Sequence, residues 1–97
     1  MTRVLIADDH ALFRAGIRRL LEDSGEVLVV GEAGSAEEAL ARLASTEADV
    51  AVLDIQMPGP GIQTLLSSLR QRHPGLRCIV LSVFEEEQYA VLTRRAG

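Results

Sequence analysis

Apolar positions fall into two alternating kinds of segment: short runs rich in Val, Ile and Leu, and longer stretches in which apolar residues recur at helical spacing. The short runs, Arg3 to Ala7, Val27 to Ala33, Asp49 to Leu53 and Leu76 to Ser82, predict four strands. Their continuous apolar character suits strands covered on both faces. Between the first two, Phe13, Ile17, Leu20 and Leu21 place a stripe on a first helix that Gly25 stops. Ser35 followed three residues later by Glu38 is a capping-box pattern, and it opens a second helix with Ala36, Ala39, Leu40 and Leu43 inward. Ile62, Leu65, Leu66 and Leu69 repeat the spacing in a third helix. It must end before Pro74, so that His73-Pro74-Gly75 forms a turn. A fourth helix is predicted from near Glu85 to Ala96, with Glu85, Glu86 and Glu87 at its start and Arg94 and Arg95 at its end complementing the helix dipole. Strands alternating with helices predict a parallel α/β fold, a (βα)4 unit spanning residues 1–97 as one domain.

Composition narrows what such a unit can do. The 97 residues are 47% hydrophobic and 25% charged, ordinary for a folded domain and too short for more than one core. All ten basic residues are arginines, so a lysine Schiff base and a Walker-type phosphate loop are excluded within this chain. A net charge of -4 and only three aromatic residues, Phe13, Phe84 and Tyr89, argue against direct nucleic-acid binding. One cysteine, Cys78, excludes an internal disulfide and a Cys-rich zinc site, and reads as a core residue. No apolar run matches a signal peptide or a membrane span, so a cytoplasmic location is expected.

The chemistry gathers at strand ends. Asp8 and Asp9 follow the first strand and Asp54 follows the third. In an open parallel sheet, ligands sit beyond the carboxyl ends of strands where successive connections leave for opposite faces. Singly, each aspartate is equally at home as a helix cap or a turn residue. Together at one switch point, the three carboxylates would repel unless bridged, and hard oxygen donors favour Mg2+. His10 could line the pocket, but an imidazole at a helix start is expected to be solvated or hydrogen-bonded locally.

The segments Val4-Leu5-Ile6-Ala7-Asp8-Asp9-His10, Asp54-Ile55-Gln56-Met57-Pro58-Gly59, Val80-Leu81-Ser82 and Arg94-Arg95-Ala96-Gly97 together resemble the receiver domain of two-component response regulators. The likeness is strongest to the group usually followed by a LuxR/NarL-type helix-turn-helix output domain. It implies a flavodoxin-like doubly wound parallel sheet with strand order 2-1-3-4. It also implies that Asp54 accepts a phosphoryl group from a sensor histidine kinase, in signalling that normally controls transcription. Asp9, Asp54 and the backbone carbonyl of Gln56 would then hold Mg2+ directly, with Asp8 acting through water. Ser82 would be the switch residue, and the chain a signalling acceptor rather than an enzyme.

Two departures from the family pattern stand out. Gly61 comes seven positions after Asp54 where the family usually has eight, and Pro60 stiffens the shortened loop. The fifth strand, its lysine and the fifth helix are absent from the chain, which therefore reads as a receiver truncated before the fifth strand. An uncovered fourth strand predicts self-association, as a homodimer through that edge or through the last helix. Two rival readings follow: a phosphorylation-independent interaction domain with a degenerate receiver site, and a small Mg2+-dependent phosphohydrolase. The second lacks a recognisable general acid or base.

Overall fold

The computed structural model describes residues 1–57, 61–84 and 90–96, with side chains described up to position 81. Strand β1 (Thr2–Ala7) leads into helix α1 (Ala11–Asp23), followed by β2 (Val27–Ala33), α2 (Ala36–Ser45), β3 (Val50–Asp54), α3 (Ile62–Arg72), β4 (Arg77–Phe84) and β5 (Ala90–Ala96). The sheet order is β2-β1-β3-β4-β5. The first four strands are parallel. Their order of 2-1-3-4 is that of a flavodoxin-like doubly wound sheet. Its switch point lies between β1 and β3, whose connections depart to opposite faces.

Strand periodicity sorts the core. Leu5, Ala7, Ala51, Leu53, Cys78 and Val80 face α2 and α3, whose buried residues are Ala36, Ala39 and Leu43, and Leu65, Leu66 and Leu69. Val4, Ile6, Val29 and Val52 face the other way, and of α1 only Ile17 and Leu21 pack partly against them. The stripe expected on α1 is therefore realised only in part. Leu20 is 75% exposed and Phe13 also reaches solvent, because no described element covers that side of the helix. Burial of Cys78 raises its thiol pKa, in keeping with a core role.

Local signals set the helix ends. The Ser35 hydroxyl accepts from the Glu38 amide at 3.1 Å, while the Glu38 carboxylate accepts from the Gly34 amide at 2.7 Å, one residue earlier than in the ideal box. Gly25 follows α1 with φ of 78°, a conformation that glycine adopts without strain. Between β1 and β2 the register slips after Val4. Leu5 then lies against Gly31, where an added Cβ would sit 3.1 Å from Leu5 Cδ1.

The expected fourth helix is not formed over Ala90–Ala96, which is an antiparallel strand pairing with β4 from Cys78↔Ala96 to Phe84↔Ala90. Charges at the two ends can favour a helix but supply no apolar stripe to bury. Val91, Leu92 and Thr93 are at home in a strand, and pairing satisfies the backbone groups along β4. The edge expected to recruit a second chain is thus occupied by the chain itself, and dimerisation through a last helix has no counterpart at these positions. The acidic run Glu85 to Glu87 lies outside the described residues, as does the Pro58 to Pro60 part of the shortened loop.

Candidate metal and phosphoacceptor site

Hydrogen bonds just past the strands bring the acids to the switch point. The Asp8 amide donates to the Ala33 carbonyl at 2.9 Å, continuing the β1–β2 ladder, and the Ile55 amide donates to the Leu81 carbonyl at 2.9 Å, continuing β3–β4. Both loops are thereby fixed on each side of the crevice. Asp8 is 2% and Asp54 8% exposed, the only buried charged residues among those described. One ligand atom from each of Asp8, Asp9, His10 and Asp54 lies within 4.8 Å of all the others.

Each buried carboxylate is braced by backbone. An Asp8 oxygen accepts from the His10 amide at 2.7 Å, and an Asp54 oxygen accepts from the Gln56 amide at 3.0 Å. Burial pushes the Asp54 carboxyl above the ordinary carboxylate range. The Gln56 amide opposes that rise, the Asp8 and Asp9 charges add to it, and His10 counters them. A carboxylate held at a strand end with one oxygen fixed, facing two further carboxylates, suits an oxygen-rich divalent cation site. The donor set, three carboxylates beside the Gln56 backbone, fits Mg2+.

The structure thus brings Asp8, Asp9 and Asp54 together, with Gln56 in the turn directly after β3. Ser82 lies in β4 one residue beyond Leu81, the register partner of Asp54, and its side chain lies outside what is described. Two neighbours complete the site, His10, which the sequence reading placed at the helix start, and Arg14, which it missed. His10 places Nδ1 2.9 Å from Asp9 Oδ1 and 3.4 Å from Asp8 Oδ1. Arg14 donates through Nη1 to the Asp8 backbone carbonyl and through Nε to Glu32 at 2.8 Å, while Arg18 reaches the other Glu32 oxygen at 2.6 Å. The position of Arg14 one turn after the acids hinted at a local role, but its partner on β2 lies 18 residues away and only the fold reveals it. A groove of about 1000 Å³ runs from Asp8 and Asp54 along α1, past Phe13, Gly16, Ile17 and Leu20.

Comparison with known proteins matches this architecture to one family. Residues 4–97 match the response regulator receiver domain. The chain is 38% identical over 97 residues to the response regulator GacA of Pseudomonas viridiflava, covering all of this chain and 45% of that protein. It is 44% identical over 89 residues to the DNA-binding transcriptional activator DevR/DosR of Mycobacterium tuberculosis, covering 91% of this chain and 41% of that one. The chain therefore spans less than half the length of these relatives. Among solved structures, the isolated REC domain of RcsB from Salmonella enterica serovar Typhimurium superposes with a TM-score of 0.80 at 34% identity, over 88% of this chain and 64% of that one. The receiver domain of the response regulator NarL from Mycobacterium tuberculosis gives 0.79 at 38% identity, over 89% of this chain and 69% of that one. With the sheet order, the acid cluster and the sequence match in agreement, the chain belongs to the response regulator receiver domain family.

Proposed function

We propose that these 97 residues act as a phosphoacceptor unit in two-component signalling, in the cytoplasm, with Asp54 taking a phosphoryl group from the phosphohistidine of a sensor kinase. The observation that carries this reading is the nearly buried Asp54 at the end of β3, within 4.8 Å of Asp8 and Asp9 at the sheet's switch point. An Asp54 oxygen would form the new bond to phosphorus as the phosphorus–nitrogen bond of the donor breaks, and the departing imidazole takes up a proton. The Gln56 amide, already bonded to one Asp54 oxygen, orients the carboxylate so that the other is offered to the donor. Asp9, Asp54 and the Gln56 carbonyl would hold Mg2+ directly, with Asp8 reaching it through water. Bound there, Mg2+ would offset the negative charge of the phosphoryl oxygens. Ser82 would read the phosphorylated state with its hydroxyl and pass it on through β4, in a signal that controls transcription in the whole protein.

The test is Mg2+-dependent labelling by a small-molecule phosphodonor. Wild type should label and Asp54→Asn should not. Equal labelling of the two removes Asp54 from the role. Absence of labelling in a folded protein that still binds a partner would favour the phosphorylation-independent interaction domain instead.

A further inference from the structure

Of the three carboxylates at the switch point, only that of Asp9 lacks a backbone brace among the described residues. Asp8 and Asp54 each accept from the amide two residues on, at 2.7 and 3.0 Å, whereas the Asp9 carboxylate meets the exposed ring of His10. What fixes its direction lies one peptide earlier. The Asp8 carbonyl accepts from Arg14 Nη1, and that carbonyl belongs to the rigid plane joining Asp8 to Asp9. Holding it sets the plane from which the Asp9 side chain leaves. The same guanidinium donates through Nε to Glu32 at 2.8 Å and passes 3.6 Å from where a Cβ on Gly34 would stand, so it ties the turn after β1 to the end of β2. We propose that Arg14 is a positioning residue for the cation, acting through the Asp8–Asp9 peptide to hold Asp9 in ligating geometry, with Glu32 as its anchor. The inference rests on reading the acid cluster as a cation site.

Helix stability does not explain Arg14. It is the fourth residue of α1, whose first turn carries no acidic side chain, and a cation near that end opposes the helix dipole. Charge at the site does not explain it either, since a guanidinium beside three carboxylates repels the divalent cation they would bind. Its geometry is what the site uses. The planar fork reaches two acceptors at once in fixed directions, and Arg14 and Glu32 are only 21% and 27% exposed, so solvent competes little for the grip. Glu32 accepts from Arg18 at 2.6 Å through its other oxygen, which holds the anchor from two sides. Arg18 shares that anchor but donates to Glu32 and Glu22, not to the acid turn.

The experiment compares wild type, Arg14→Met, Arg14→Lys and Arg18→Met, each checked for folding by urea unfolding, through Mg2+ affinity by calorimetry and amide NMR shifts without metal. Charge and positioning predict opposite signs. Removing a cation near the acids tightens Mg2+ binding by Coulomb attraction alone, as Arg18→Met should show. Arg14→Met should instead weaken it by roughly tenfold, the scale on which loss of a group supporting a metal ligand acts. Arg14→Lys, with the charge kept but only one arm, should fall between wild type and Arg14→Met. Without metal, the Asp9 and His10 amides should shift in Arg14→Met while the Gln56 amide beside Asp54 does not. Binding by Arg14→Met as tight as that of wild type, or an equal loss in Arg18→Met, overturns the proposal while leaving the carboxylate site intact. Should Arg14→Met not fold, Arg14→Lys decides: weaker binding supports the proposal and binding equal to wild type overturns it. Failure of Mg2+ to bind folded wild type overturns the cation reading itself, and the task of Arg14 with it.

Discussion

The two faces of the sheet hold their helices by different physics. On the face of α2 and α3, fourteen buried residues form one continuous cluster, and each helix sinks three of its own side chains fully into it. On the face of α1, the cluster has four buried residues, all from strands, and α1 contributes none. What α1 has instead is polar: Arg14 and Arg18 share the Glu32 carboxylate of β2, and Arg14 also grips the backbone carbonyl of Asp8. Apolar packing is dense and costly to disturb, whereas partly exposed ion pairs are weak and adjustable. Among the described helices, the one that starts at the acid cluster is therefore the most free to shift, and the packed face supplies the rigid floor under Asp54.

The sharpest way to break this contrast is truncation of one leucine on each face. Leu65→Ala, at a site 1% exposed, should cost about 2–5 kcal/mol in urea unfolding, while Leu20→Ala on α1 should stay within about 0.5 kcal/mol. Equal costs would mean that α1 is packed after all. The next effect concerns charge at the site. Asp54→Asn removes a buried charge that faces Asp8 and Asp9, so without divalent cation the variant should have the higher urea midpoint. Mg2+ at 100 times its dissociation constant should then stabilise wild type by about 2.7 kcal/mol and the variant far less, reversing the order. A variant that gains as much as wild type would remove Asp54 from the ligand set.

A smaller difference separates the helix starts. Ser35→Ala deletes the hydroxyl that accepts from the Glu38 amide and should cost about 1 kcal/mol. His10→Ala removes no such cap from α1 and should be close to neutral in the absence of metal. Comparable losses in the two variants would show that His10 supports the helix rather than the site.

The packed face was the more legible one. Ala36, Ala39, Leu43, Leu65, Leu66 and Leu69 could be named from helical spacing because helix burial there follows apolar periodicity alone. The acids were legible too, since a strand end is a topological position that a strand run followed by Asp already marks. On α1 the same spacing misled, because a stripe shows what could be buried and not whether anything lies against it. The Arg14–Glu32 and Arg18–Glu32 pairs were invisible for a related reason: their partners are brought together by the packing of α1 against β2 rather than by sequence proximity. At Ala90–Ala96, dipole complementarity and strand propensity disagreed, and the open edge of β4 decided between them.

The smallest expected effect tests whether those ion pairs hold α1. Hydrogen bonds from Arg18, and then from Arg14, keep the Glu32 carboxyl below its ordinary value of 4.5, against a rise from partial burial. An acid whose folded value is depressed contributes stability above its unfolded value, and that contribution fades as pH falls toward the folded one. Wild type should therefore exceed Glu32→Gln by at most about 1 kcal/mol at neutral pH, the range of a partly exposed pair. The difference should shrink as pH drops from above 4.5 to below the depressed value, and also when salt is raised at neutral pH. Asp49, likewise depressed by Arg3, titrates in both proteins and cancels in the difference. Amide exchange places the effect: in Glu32→Gln, the amides of α1 should exchange faster while those of α2 and α3 keep their rates. Uniform acceleration across all three helices would mean that α1 unfolds with the rest, and that the polar grip on it is no softer than the apolar one across the sheet.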